Sequence, residues 1–287
     1  MLYGSAEDWL GAAQKRVLLF GMSGLGKTRI ASLLREHGDW FHYSVDYRIG
    51  TRYMGEHIAD LFKREAMKLP FLRDLLMSDS IAIESKIRFH NLAPLSMYLG
   101  KPGDPAKGGL PFDEYLRRQE QHRAAEIAAM QDTPHFIARA EGIYGYPNFV
   151  CDSSGSFCEV VDPGDPGDPL LGLLESCVLL VWIEGTEAHT EELIRRFDRA
   201  PKPMYYQPDF LRARWAEYLK ETGLAEDAVD PDAFVRWTYA KALAHRRPRY
   251  AAIAERGVTL QADEVAGVQD AAGFEALVAR ALERRAQ

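Results

Sequence analysis

Residues 16–30 read Arg-Val-Leu-Leu-Phe-Gly-Met-Ser-Gly-Leu-Gly-Lys-Thr-Arg-Ile, RVLLFGMSGLGKTRI in one-letter code. Val17 to Phe20 is an unbroken apolar run, the pattern of a strand buried on both faces of a parallel sheet. Gly21 to Thr28 then matches GxxxxGK[ST] at every fixed position. The spacing has a chemical reason. Glycines let successive backbone N–H groups turn inward and form a concave anion nest. A helix beginning near Lys27 points the positive end of its dipole at the same place. Lys27 adds a point charge for the outer phosphates, and the Thr28 hydroxyl suits Mg²⁺. The loop is therefore expected to hold a nucleoside triphosphate, ATP first, with Mg²⁺. The expected contacts are Gly21, Ser23, Gly24, Leu25, Gly26, Lys27, Thr28 and Ile30, with Lys27 read as a surface charge.

Outward from the loop, the chain alternates between strand and helix patterns. TRIASLLREHG predicts a helix with Ile30, Leu33 and Leu34 inward and Gly38 as its stop. Trp40 to Asp46 is β-rich and predicts a second strand ending at Asp46. The next hundred or so residues carry no convincing strand. They predict helices over 55–68, 69–85 and 111–131, with a Gly/Pro-rich loop, GKPGDPAKGGLP, between the last two. Asn148 to Asp152 predicts a third strand followed by a polar turn, and DPGDPGDP (162–169) a surface loop. Cys177 to Gly185 predicts a deeply buried strand, followed by a helix capped by Thr186. Residues 204–256 predict helix, Gly257 to Leu260 a last short strand, and the chain closes in an amphipathic helix. The implied class is α/β: a three-layer P-loop NTPase fold, its parallel sheet flanked by helices, with a large helical insertion. The segments expected are 1–46 and 147–203 for the core and its lid-like part, 47–146 for the insertion on the acceptor side, and 204–287 for C-terminal helices and the last strand.

Composition fits this class. The 287 residues are 47% hydrophobic, enough for a real core, and carry a formal net charge of −7. That balance argues against a nucleic-acid partner. Three cysteines without CxxC spacing suit a reducing compartment, and the eight histidines show no metal-ligand spacing. No run approaches the roughly 18 apolar residues of a membrane span, and the N-terminal stretch has no signal-peptide core. A cytoplasmic protein without a membrane partner is expected; the sequence does not fix its oligomeric state.

Four stretches carry a resemblance to the shikimate-kinase and gluconate-kinase side of the P-loop small-molecule kinases. They are GMSGLGKT; Asp46 at the end of the second strand; LLVWIEGTEAHTEELIRRFDRAPKPM; and RRPRYAAIAERGVTL, with Arg246, Pro248, Tyr250 and Ala254. The resemblance implies an aspartate, Asp46, that grips an acceptor hydroxyl, and an arginine-rich lid. The chain departs from the pattern in four ways. Ser44 stands where shikimate kinases have a second acid, and Asp152-Ser-Ser-Gly-Ser156 replaces their glycine triplet. Lys202, a point charge without arginine's bidentate fork, stands before the lid proline. The segment between strands two and three is far longer than a shikimate-type acceptor domain.

The candidate catalytic residues are thus Lys27, Asp46, Arg196 and Arg199, with Arg195 and Lys202 as alternatives on the lid. Metal ligands would be Thr28 and Asp152, the latter through water, unless Asp152 contacts the acceptor instead. Arg48 and Arg52 suit an anionic acceptor. Arg117, Arg118 and Arg123 read as a solvated helix face. The function expected is transfer of the γ-phosphate of ATP to a small-molecule acceptor. The alternatives are a P-loop ATPase or nucleotide-dependent regulatory protein with a protein partner, and a kinase acting on an activated sugar or a macromolecule.

Overall fold

A chain of short β-rich runs separated by long helical stretches has one economical solution, in which the strands gather into a single sheet and the helices cover it. The computed structural model describes residues 2–36 and 39–286. Its strands are β1 Arg16–Phe20, β2 Trp40–Ser44, β3 Asn148–Asp152, β4 Leu179–Glu184 and β5 Val258–Gln261. All neighbours run parallel in the order β2-β3-β1-β4-β5. β1 is central, and Val17, Leu18, Leu19 and Phe20 are wholly buried. Each such side chain contributes about 1.5–3 kcal/mol over leaving it exposed. This sheet flanked by helices, with a GxxxxGKT loop after its central strand, is the α/β P-loop fold expected.

Two strand ends differ from the expectation. β2 stops at Ser44, because Val45–Arg48 turns helical and Ile49–Tyr53 continues as a π-helical turn. Asp46 therefore lies two residues beyond the strand. β4 starts at Leu179 rather than Cys177. The helix Pro169–Cys177 occupies the residues before it, capped by Asp168, whose carboxylate accepts from the Leu170 and Leu171 amides. The Gly38 stop lies outside the described residues.

The described chain divides into two compact units: 1–45, 126–201 and 236–287 form the first, and 46–125 with 202–235 the second. The boundaries differ from the insertion expected over 47–146. Residues 126–146 cluster with the sheet: the Tyr43 hydroxyl donates to Ala129 O at 2.6 Å, and Phe136 stacks on Tyr43 at 4.6 Å. Residues 202–235 cluster with the insertion. Gln119, wholly buried, accepts from the Tyr206 amide at 2.9 Å and donates to Met204 O at 3.2 Å. Helical periodicity shows which face of a segment is buried, not what buries it.

Unit 2 is built on helices Gly55–Ala66, Pro70–Met77, Ala93–Leu99 and Pro208–Thr222, with parts of Phe112–Gln131 and Pro231–Ala254. Trp215 anchors it, stacked on Phe112 and edge-on to Phe234, both at 4.8 Å. The helix expected over 69–85 ends at Met77. Beyond it, Ile81 to Ile87 belongs to no helix or strand, makes no backbone–backbone hydrogen bond among the described residues, and exposes Ala82, Glu84 and Lys86 while burying Ile87. That segment borders a cleft of about 800 Å³ shared with Gly50, Thr51, Ala59, Lys63 and Met67. Arg118 is not part of a solvated face. It is buried, donating to Glu114 at 2.7 Å and to Tyr98 O at 2.5 Å. No described helix is long and apolar enough to cross a membrane.

Burial holds the His122 imidazole at about 4, below its ordinary 6.5. The ring stacks on Tyr205 at 5.1 Å. Because the folded value is depressed, the unfolded chain takes up the proton first as pH falls. This contribution to stability is whole above pH 6.5, declines between 6.5 and 4, and changes no further below that. The linkage amounts to roughly 3 kcal/mol. Urea unfolding at pH 7 and pH 4.5 should show a smaller acid loss in His122→Leu than in the parent chain.

Candidate phosphate-binding site

The loop after β1 turns on three glycines in a backbone conformation that other residues rarely adopt. Gly21 has φ +136°, and a Cβ there would sit 2.6 Å from Ile183 O on β4. Gly24 and Gly26 are likewise left-handed, at +93° and +100°. Lys27 closes the loop. Its ammonium donates to Gly21 O at 2.8 Å and to Met22 O at 3.0 Å, and the residue is only 6% exposed. It is not the surface charge that its motif suggests; part of its work is to hold the loop's ends together. The Ile30 N–H donates to Gly26 O, opening helix Lys27–Glu36. The amides ahead of that first bond are the ones a helix N-terminus offers to an anion. Ile30 itself is wholly buried and its amide is spent on that bond, so it is a core residue and not a ligand contact. Leu25 is buried too, which leaves its main chain to serve the loop, while Ser23 and Thr28 are exposed.

The helix is moored at its side. Arg29 donates to Val265 O at 3.1 Å and Val268 O at 2.8 Å, carbonyls of the turn after β5. Leu193, on helix Glu187–Arg199, covers Gly24, where a Cβ would come 2.9 Å from its Cδ2. Thr186 caps that helix, as its sequence predicts, in a reciprocal box with His189. Arg196 and Arg199 are exposed on its last turn, and Phe197 between them stacks on Tyr239 at 3.9 Å. Unit 1 thus carries Gly21 to Thr28, Asp152, Arg196 and Arg199. Asp46, half-buried, and Lys202, exposed, belong to unit 2.

Asp152 ends β3 beside Leu19 of β1 and Ser44 of β2. It is 5% exposed, and His42 Nε2 lies 3.7 Å from its carboxylate. The ladder continues one residue further, since the Ser153 amide donates to Leu19 O at 3.1 Å. The following turn is gripped from two sides. Ser154 and Ser156 both donate to the carboxylate of Glu126 on helix Phe112–Gln131, Ser156 at 2.8 Å. From helix Pro231–Ala254, Arg246 donates to Gly155 O at 3.1 Å and the Tyr250 hydroxyl to the same oxygen at 2.5 Å. Arg246 also forks onto Glu159 at 2.9 and 3.0 Å, with both side chains buried. Burial by itself would pull that guanidinium's pKa down; Glu159 beside it more than reverses the effect and raises it. The arginine and tyrosine that carried part of the resemblance are therefore the clamp of the β3 turn. Ser154 and Ser156 lie in the stretch that replaces the glycine triplet, while Glu126 and Glu159 have no motif to mark them. The one trace of Glu126 is a lone carboxylate on an otherwise small and apolar helix stretch, AAEIAAM.

A rigid glycine cradle, a helix N-terminus, a lysine ammonium and a nearly buried carboxylate on the neighbouring strand can together hold a polyphosphate and its cation. No family model matches the chain, and no curated protein matches it. Among solved structures it is similar to a shikimate kinase from Bacteroides thetaiotaomicron, at 14% identity and a TM-score of 0.41, covering 96% of this chain and 99% of that one. The fold stands on the sheet order and the loop, not on that likeness.

Lys27→Ala should fail in two separable ways. Two loop carbonyls lose a buried donor, at about 1–3 kcal/mol, so thermal unfolding should shift downward. Nucleotide affinity measured by calorimetry should fall beyond detection. A variant that melts like the parent and binds MgATP normally would remove both roles.

Proposed function

We propose that the chain is a phosphotransferase that moves the γ-phosphate of ATP to a small-molecule acceptor. The observation that carries this reading is the cradle of Gly21 to Lys27 at the carboxyl edge of β1, with Asp152 on the adjacent strand. Open parallel sheets bind their ligands at that edge. The main-chain amides of the loop and the helix after it orient the phosphates. Lys27 lies against the loop's own carbonyls, from which its ammonium can reach a phosphate oxygen by rotation of a flexible stem. Thr28 and Asp152 are the residues that would hold Mg²⁺, which when bound offsets the charge of the phosphates. Arg196 and Arg199, exposed at a helix end, are the mobile cations available to the transferring group. Asp46 orients the acceptor hydroxyl and takes its proton.

A second reading, a nucleotide-dependent ATPase that answers to a protein partner, has one observation in its favour. Helix Pro70–Met77 buries none of its residues, and Phe71 and Met77 are each 73% exposed.

Labelled ATP, supplied with a metabolite extract, decides between them. The kinase reading expects slow hydrolysis without acceptor, about one turnover per minute or less, against roughly 1–100 per second for working kinases. Label should then appear on one small compound in step with ADP. Asp46→Asn should keep MgATP affinity and lose transfer. Brisk release of phosphate to water, or release stimulated by a protein, would favour the second reading; equal loss of ATP affinity in Asp46→Asn would move that residue to the nucleotide side.

A further inference from the structure

Glu126 is wholly shielded from solvent. Placing a carboxylate there is costly, and an alanine or leucine would fill the same helix position more cheaply if packing were all that was needed. Its oxygens are engaged by the hydroxyls of Ser154 and Ser156, the two residues flanking Gly155. The serines are coupled to each other as well: their hydroxyls lie 3.1 Å apart, and the Ser156 amide donates to Ser154 Oγ at 3.3 Å. Gly155, held between them, lies against the phosphate loop. A Cβ at that position would overlap Ser23 Oγ and come 3.2 Å from Ser23 N. The space beside Gly155 is taken by the Ser23 hydroxyl, with the Ser23 amide just behind it, so a shift of the β3 turn bears on Ser23. Arg246 and Tyr250 fix the opposite side of the turn through Gly155 O.

We propose that Glu126 is a positioning residue for nucleotide binding: through Ser154 and Ser156 it seats Gly155 against Ser23 and so fixes the spacing between the phosphate loop and Asp152. This rests on the reading of Gly21 to Thr28 as an ATP site. The residue touches no phosphate. It acts through a turn that a glycine allows to approach the loop closely.

Two measurements test it on the full chain. The first needs no nucleotide. Amide hydrogen exchange at residues 21–26 and 153–156 should speed up in Glu126→Ala, with β4 and β5 unchanged. The second is MgATP affinity by calorimetry. It should weaken about tenfold or more in Glu126→Ala, the size of effect seen when supporting partners of a ligand site are lost. Glu126→Gln, which keeps the shape and can bond to both hydroxyls as acceptor and donor, should restore most of it. A Ser154→Ala/Ser156→Ala chain should weaken binding at least as much as Glu126→Ala, since it leaves the buried carboxylate without these donors, and combining all three changes should cost less than the sum, because the residues act as one unit. If Glu126→Ala does not fold, Glu126→Gln and the serine pair carry the same comparison. Lowered melting temperature with unchanged loop exchange and unchanged MgATP affinity would reduce Glu126 to a packing role and overturn the proposal, as would additive losses. Absence of MgATP binding in the parent chain would instead refute the ATP reading, and the exchange measurement would still decide whether Glu126 holds the loop.

Discussion

An anion cradle made of backbone amides works only if the chain on both sides of it cannot give way. Here that constraint is met by β1. It has a strand on each edge and helices on both faces, and four of its five residues have no contact with solvent. The loop therefore leaves a fixed point. It returns to another, helix Lys27–Glu36, which Arg29 ties to the turn after β5. Between those anchors the backbone presses on β4 at Gly21, where no Cβ fits, and Lys27 spans the loop's ends. The rest of unit 1 bears on the same few residues: Leu193 from one helix, Gly155 from the β3 turn. Preorganisation of this kind is what lets neutral amide dipoles act on a charged ligand without first having to move.

Much of the fold was legible because it is written locally. β1 and β3 are apolar runs with sharp polar ends, and GxxxxGKT dictates its own neighbours. The errors came where two local signals compete. Val45 and Tyr47 favour strand, yet the chain turns helical at Val45, and Asp46 falls in the first turn of a helix, where a carboxylate suits the dipole. The strand expected from Cys177 begins at Leu179, because the helix that Asp168 caps keeps Cys177 as its last residue. Over 69–85 the apolar spacing suggests more helix than forms: the chain leaves the helix after Met77 and turns at Asp79, whose φ is +53°.

The site divides in the same way. The phosphate loop is contiguous in sequence and could be read. Its supports are not: Glu126, Gly155, Glu159 and Arg246 come from distant parts of the chain, and Glu126 and Glu159 stand in no recognisable pattern. Residue type misled at Arg118, Lys27 and Ile30. The first two are charged groups that the fold buries against carbonyls and a carboxylate, and the third is a motif neighbour that turned out to be core. Sequence spacing gives a helix face; only tertiary structure says whether water or another helix lies against it.

The irregular stretch from Ile81 to Ile87 has a practical bearing on handling the protein. A protease must draw a substrate into its cleft as a single extended strand, and most folded segments have to melt before they can comply. This one belongs to no helix or strand, its main-chain groups make no bonds to other main chain, and Lys86 is exposed, so only Ile87, which is buried, has to come free. Trypsin should therefore cut after Lys86 ahead of sites inside the helices and strands. A preparation nicked at this point would separate into two pieces on a denaturing gel while the sheet of unit 1 stayed whole.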